Sequence, residues 1–421
     1  MAFRHRPAAP LGTWLTRLLR RGGMRSTRPD LTDWLQLIEP SRVTRIVVLK
    51  AHDQLGDFMV ATPALAALRA RFPRTRITLV TRPFLADLAR AQPDVDEVLV
   101  VPRISGPRGV GALLRLIAAL TRPRPEIALV LNSVSRSRTV DALAAVARPL
   151  LVIGRSRVGD GPLPADLPSD PLVFKGHLIP GWPVPDGVYD IDVETMATSE
   201  HQSARIMDLM IAVGASGPWR AMRLAIGPAA RAEGGAALER VWAAAVPGGS
   251  EASASTHGSD GPARWIGIHP GAANPLKCWP LEHFVELGAA LVSRAAPGGE
   301  CRLVVFDSPR EAGRARAVRD GLLARGVPAG LVPAGPIGGF AAIATHLSLL
   351  VCNDSGVMHI AAALGVPTVS FHSLGRPEEW APAHGRAAAF YADHAIETLP
   401  VAPALAAAER LLAGAPLSVG V

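Results

Sequence analysis

From Arg45 onward the chain alternates short, unbroken apolar runs with helix-like stretches: RIVVLK, then FMVATPALAALRARF, RITLV, RPFLADLARA and EVLVV. The runs are rich in Val, Ile and Leu and show no period-two alternation, the pattern of parallel strands covered on both faces. Parallel neighbours need crossover connections, so this order predicts a βαβαβ unit. GVGALLRLIAALTR, IALVLN and SRTVDALAAVARPLLVIG extend it to about residue 155. A stretch rich in Pro, Gly and Asp follows between Val158 and Asp192, then the helix-like SEHQSARIMDLMIAVGA. A second alternating series begins at WIGIHPG and passes through PLEHFVELGAALVSRA, RLVVFD, REAGRARAVRDGLLARG, LVCND, SGVMHIAAALG and TVSFHS. The expected fold class is therefore α/β, with two doubly wound, Rossmann-like domains facing a cleft at the carboxyl ends of their strands.

A length of 421 residues suits two such domains. The expected boundaries are a basic extension over 1–40, an N-terminal Rossmann-like domain over 41–200, a linker helix with a flexible insertion over 201–263, and a C-terminal Rossmann-like domain over 264–421. The insertion PGGSEASASTHGSDGPA has the composition of a flexible surface segment.

Composition excludes several function classes. No run reaches the roughly 18 to 20 apolar residues of a membrane span, because Arg, Pro or Gly interrupts each candidate. The N-terminal stretch LGTWLTRLLRR lacks a long apolar core followed by a small-residue cleavage site, so no secretory signal is expected. Cys278, Cys301 and Cys352 are scattered without C-x-x-C spacing, as suits reduced thiols in a cytoplasmic protein. The net charge of +8 includes seven Arg before the first acid, Asp30. Such an extension suits a solvated tail or peripheral contact with an anionic membrane. Nucleic acid is not expected, because no aromatics interleave with these arginines. Lys occurs only at Lys50, Lys175 and Lys277, so each lysine in this Arg-rich chain invites a reason.

Three stretches carry candidate chemistry. LKAHDQLGDFMVATPAL, 49–65, sets His52, Asp53, Gly56 and Asp57 at a strand-to-helix corner. Asp57 there is either a helix cap or a general base. HPGAANPLKCWP, 269–280, pairs small residues that let backbone approach a ligand with Lys277, which is either a solvated residue or a phosphate contact. LVCNDSGVMHIAAALGVPTVSF, 350–371, runs from a strand through Asp354, Ser355 and Gly356 into a helix whose N-terminal amides favour anions, with His359 one turn inside. No G-x-G-x-x-G or P-loop string is present. The strings Asp94-Val95-Asp96 and Asp190-Ile191-Asp192 have a carboxylate spacing that is common by chance, and no metal site is expected from them.

Together and in this order the stretches LGDFMVATPAL, KCWP and NDSGVMHIAAALGVP resemble the signatures of glycosyltransferase family 9, the ADP-heptose:lipopolysaccharide heptosyltransferase family. The resemblance spans about Arg45 to Pro382. It implies a GT-B fold and an inverting, metal-independent transfer from a nucleotide diphosphate sugar, ADP-heptose-like, to a lipid-linked or other glycan acceptor, with no cofactor. Carried onto this sequence, it makes Asp57 the base, with His52, Asp53 and Gly56 in the acceptor-side loop. It makes Lys277, Asp354, Ser355, Gly356 and His359 donor contacts, and Glu311 a ribose contact. The chain departs from the family at FHSLG, where His372 and Ser373 replace small residues, and at Asp307 and Ser308, which replace a glycine pair. Alternatives at this level are a sugar-nucleotide epimerase of the same fold and a non-catalytic nucleotide-sugar-binding protein.

Overall fold

The computed structural model describes residues 38–51, 54–103, 106–131, 137–155, 172–174, 177–179, 191–192, 201–246, 263–294, 300–309, 311, 313–383 and 386–414. His52, Asp53, nearly all of the basic extension and the 247–262 part of the insertion lie outside them. The chain forms two units. One is built from Pro63–Arg90, Asp94–Pro218 and residues up to position 53; the other is built from Gln54–Thr62, Ala91–Pro93 and Trp219 onward. The span 201–263 is thus divided, with α6 (Gln202–Ile211) in the first unit and α7 (Pro228–Ala245) in the second.

The first unit is a parallel sheet in the order β3-β2-β1-β4-β5-β8, with β1 Arg45–Leu49, β2 Arg76–Thr81, β3 Glu97–Val100, β4 Ile127–Val130, β5 Leu151–Gly154 and β8 Ile191–Asp192. β6 (Leu172–Phe174) and β7 (His177–Ile179) form a separate antiparallel ribbon. Every residue of β1 is buried, so its unbroken RIVVL suits a strand flanked on both sides. Val47, Leu49, Val80 and Val130 pack with Leu116 and Leu120 of α4 (Gly106–Thr121) and Val140 and Ala144 of α5 (Arg138–Ala147). Asp96, of the first D-x-D string, is structural: it accepts from Ile77 N at 2.7 Å and pairs with Arg69 at 2.5 Å.

The second unit repeats the plan as β11-β10-β9-β12-β13-β14, again all parallel. Its strands are β9 Arg264–His269, β10 Cys301–Phe306, β11 Ala329–Val332, β12 Leu347–Asn353, β13 Thr368–His372 and β14 Ala387–Tyr391. Helices α8 (Leu281–Ser293), α9 (Arg314–Ala324) and α13 (Val401–Leu412) build one buried layer with Ile266, Ile268 and Phe371. In both sheets the chain order reverses beside the first strand, between β1 and β4 and between β9 and β12, where doubly wound sheets bind ligands. No helix among the described residues is long and apolar enough to cross a membrane.

The stretch FMVATPALAALRARF forms two helices, α1 (Leu55–Met59) and α2 (Thr62–Arg71), rather than one. Pro63, in the first turn of α2, has no N–H for a continuous helix to use. Thr62 Oγ1 instead donates to Met59 O at 2.8 Å across the break.

Candidate active site

The strand-to-helix corner after β12 organises the site in the second unit. Asn353, the last residue of β12, is fully buried. Its Oδ1 accepts from Trp279 N at 2.9 Å and its Nδ2 donates to Pro270 O at 2.9 Å. One side chain therefore ties the NDSG corner to both ends of HPGAANPLKCWP. Arg314 adds a second tie, donating from Nε to Pro270 O at 3.0 Å and from Nη2 to Trp279 O at 3.1 Å. Trp279 anchors the loop in the core: it is fully buried, stacks on Phe371 with centroids 3.7 Å apart, and donates from Nε1 to Leu399 O at 2.9 Å.

Held this way, Lys277 presents Nζ 2.5 Å from Asp354 Oδ2. It ends the short 3-10 turn Pro275–Lys277, which Asn274 begins by accepting from Leu276 N at 3.0 Å. Burial alone would raise the Asp354 carboxyl, but His372, Lys277 and His359 outweigh it and hold the group below the ordinary carboxylate range. Burial also keeps His372 below its ordinary value, against the pull of Asp354.

The segment where the chain departs from the family is buried too, with His372 and Ser373 fully enclosed. His372 Nε2 lies 2.9 Å from Ser370 Oγ, and Ser373 Oγ donates to Leu276 O at 2.6 Å, fastening the lysine loop from the other side.

Asp354 and Ser355 lead into α11 (Gly356–Ala363), and Ser355 is its N-cap residue. Helix α1 packs against α11, and Gly356 permits the approach: a Cβ there would lie 2.4 Å from Leu55 Cβ. A Cβ at Gly56 would lie 3.5 Å from His359 Cδ2, so the LGD stretch rests directly on the buried His359. Asp57 is the third residue of α1 and is 4% exposed. Gln54, not Asp57, occupies the N-cap position of α1, and its side chain makes no cap hydrogen bond; Asp57 lies in the first turn.

Gly271 allows the remaining contact. A Cβ at that position would fall 1.5 Å from Glu311 Oε2, so the Glu311 carboxylate lies over bare backbone of the HPG loop. The second unit thus brings together Gly56, Asp57, Lys277, Glu311, Asp354, Ser355, Gly356 and His359. His52 and Asp53 are the two expected site residues outside the described set.

Sequence reasoning missed Asn353 and Arg314 as organisers. Asn353 stood inside a quoted motif but carries no charge to draw notice. Arg314 is one of many arginines, and no spacing in the text links it to Pro270 or Trp279.

Two buried histidines give the fold a pH limit. Burial pushes His269, the last residue of β9, down to about 4. His372 is lowered for the same first reason. In the unfolded chain each takes a proton near its ordinary value, about 6.5. Stability is complete above that pH and falls as pH drops toward 4, by about 1.4 kcal/mol per pH unit for each histidine protonated only when unfolded. Thermal melts between pH 7.5 and 4.5 are expected to show this acid limb, and His269→Gln is expected to make it shallower. An unchanged slope in that variant would remove His269 from the account.

Residues 237–399 match the model of glycosyltransferase family 9 (heptosyltransferase). Lipopolysaccharide heptosyltransferase 2 of Escherichia coli K12 is 22% identical over 329 residues, covering 77% of this chain and 81% of that protein. A curated relative from Haemophilus influenzae is 39% identical over 56 residues, which is 13% of this chain and 16% of that protein. Among solved structures, a glycosyl transferase family 9 protein of Veillonella parvula superposes with a TM-score of 0.67 at 18% identity, over 88% of this chain and 98% of that one. E. coli ADP-heptose lps heptosyltransferase II gives 0.61 at 18% identity, over 88% of this chain and 99% of that one. An E. coli heptosyltransferase solved with ADP also gives 0.61, at 16% identity, over 87% of this chain and 100% of that one. The two parallel sheets in Rossmann order form a GT-B fold. Over residues 237–399, and more weakly along most of its length, the chain is similar to glycosyltransferase family 9, the heptosyltransferase family, and these likenesses support a glycosyltransferase.

Proposed function

We propose that this enzyme transfers a heptose-like sugar from a nucleotide diphosphate donor to a lipopolysaccharide-like or other glycan acceptor, by a metal-independent displacement that inverts the anomeric centre. The observation that carries the reading is the Lys277–Asp354 pair at the start of α11, with the helix bearing Asp57 packed on that same α11. The relative named lipopolysaccharide heptosyltransferase 2 and the E. coli heptosyltransferase solved with ADP support the choice of donor and acceptor class.

In this reaction the acceptor hydroxyl oxygen bonds to the anomeric carbon as the bond from that carbon to the diphosphate oxygen breaks. Asp57 takes the hydroxyl proton. The electron pair leaves with the diphosphate, where Lys277 and the free amides opening α11 meet the growing negative charge. Asp354 holds the Lys277 ammonium in place and limits its motion before the donor arrives. His359 stands beneath Gly56 and supports the donor side of α11, and Glu311 reaches the nucleoside ribose over Gly271. A lipid-linked acceptor of this kind supports a cytoplasmic enzyme that works peripherally at the inner face of the cytoplasmic membrane.

The test is transfer from ADP-heptose to lipopolysaccharide core acceptors in EDTA, with ADP release and product configuration followed together. The expected result is acceptor-dependent ADP release, undiminished by EDTA, and a product of inverted anomeric configuration. Retained configuration, or activity restored only by a divalent cation, would overturn the proposed mechanism.

A further inference from the structure

We infer that the solvent face of α4 docks the protein on an anionic lipid surface. The helix is apolar on two sides. Gly109, Leu116 and Leu120 are buried on one of them. On the opposite side Val110 is 47% and Leu114 61% exposed, and Pro107 and Ala118 are exposed with them. At about 100° per residue, positions 107, 110, 114 and 118 share one stripe. A soluble helix ordinarily turns a charged or polar face outward, whereas this one turns apolar side chains to both core and solvent.

Charge identifies the occupant. Arg108, Arg115 and Arg122 recur every seventh residue, are all exposed, and line one flank of the apolar stripe. Residues 98–125 contain five Arg and no Asp or Glu. Arg124 is committed to the carbonyls of Arg148 and Pro149, leaving the row on the helix for another partner. An apolar stripe flanked by arginines is the pattern of a helix lying in a membrane interface, with apolar groups below the headgroups and guanidinium groups on the phosphates. Phe84, 52% exposed, follows β2 at the same sheet edge from which α4 departs after β3, and Val101 N donates to Thr81 O at 2.9 Å between those strand ends.

Other occupants fit less well. The chain's own N-terminal segment carries Arg17, Arg20 and Arg21 and would set like charge against like. A second copy of this chain meets an area limit: 16 residues at about 1.5 Å each give a strip about 24 Å long and about 10 Å wide, on the order of 240 Å², short of the roughly 800 Å² per partner of a stable interface.

The inference deepens the peripheral placement proposed above and rests on it for the choice of an anionic leaflet. The experiment is sedimentation of the full chain with phosphatidylglycerol–phosphatidylcholine vesicles, against phosphatidylcholine alone, at physiological salt. Wild type is expected to partition to the anionic vesicles. Val110→Asp/Leu114→Asp is expected to lower partitioning about tenfold or more. Arg108→Gln/Arg115→Gln/Arg122→Gln is expected to lose about fivefold per arginine and with it the preference for anionic lipid. Calorimetric ADP binding should be the same in all three proteins, which shows that the variants fold. Equal partitioning of wild type and variants, no partitioning of wild type, or a solution dimer that the α4 variants dissociate would each overturn the inference. A chain that partitions through α4 yet transfers no heptose would sink the proposed function and leave this surface standing.

Discussion

Asp57→Asn is expected to lower turnover by about 10² to 10⁴-fold while leaving ADP affinity unchanged. The amide keeps the size of the carboxyl and its place on α1, where Asp57 is 4% exposed, but it has no basic oxygen to take the acceptor proton. Because α1 packs on α11 through Leu55 and Gly356, and Gly56 rests on His359, the substitution leaves the backbone contacts that hold the donor side untouched. The effect therefore belongs to kcat. Steady-state kinetics beside calorimetry separates the two quantities, and wild-type turnover in the variant would reduce Asp57 to a packing residue.

Lys277→Ala is expected to cost about 10² to 10³-fold in kcat/KM, the scale of removing one preorganised group from a site of developing negative charge. ADP affinity should fall with it, because the ammonium meets the diphosphate in the bound state as well as in the transition state. The substitution has a second consequence. It leaves the Asp354 carboxylate, 7% exposed, without the cation 2.5 Å away. The single variant should therefore lose stability as well as activity. Lys277→Ala/Asp354→Asn removes both charges and should regain stability without regaining turnover. That split distinguishes a lysine that acts on the donor from one that only balances a buried acid.

Much of this site was legible in the text of the sequence. Unbroken Val, Ile and Leu runs predicted parallel strands because such strands are covered on both faces, and both sheets follow Rossmann order. Other elements gave weaker signals. β14 reads AAAFY, and a run of Ala carries little strand preference. Helix α7 is rich in Ala and Gly with no clean apolar stripe, so its sequence does not reveal the layer it covers. In the site, Asp57, Lys277 and the NDSG corner stand out because charged residues beside glycine at strand ends have few purely structural uses. Asn353 and Arg314 do not stand out, since their work is to bond backbone carbonyls distant in sequence, Pro270 and Trp279. His372 and Ser373, where the sequence departs from the family's small residues, are both buried, and Ser373 secures the carbonyl of Leu276 beside Lys277.

The central claim is that Lys277, set against Asp354 at the head of α11, forms the cationic part of a diphosphate site that needs no metal. It is tested most directly by calorimetric titration of ADP, GDP and UDP in EDTA into the wild-type chain and into Lys277→Ala. The account predicts tight binding of ADP alone by wild type and at least about tenfold weaker binding by the variant. ADP binding of equal strength in both proteins, or binding that appears only when a divalent cation is restored, would contradict it.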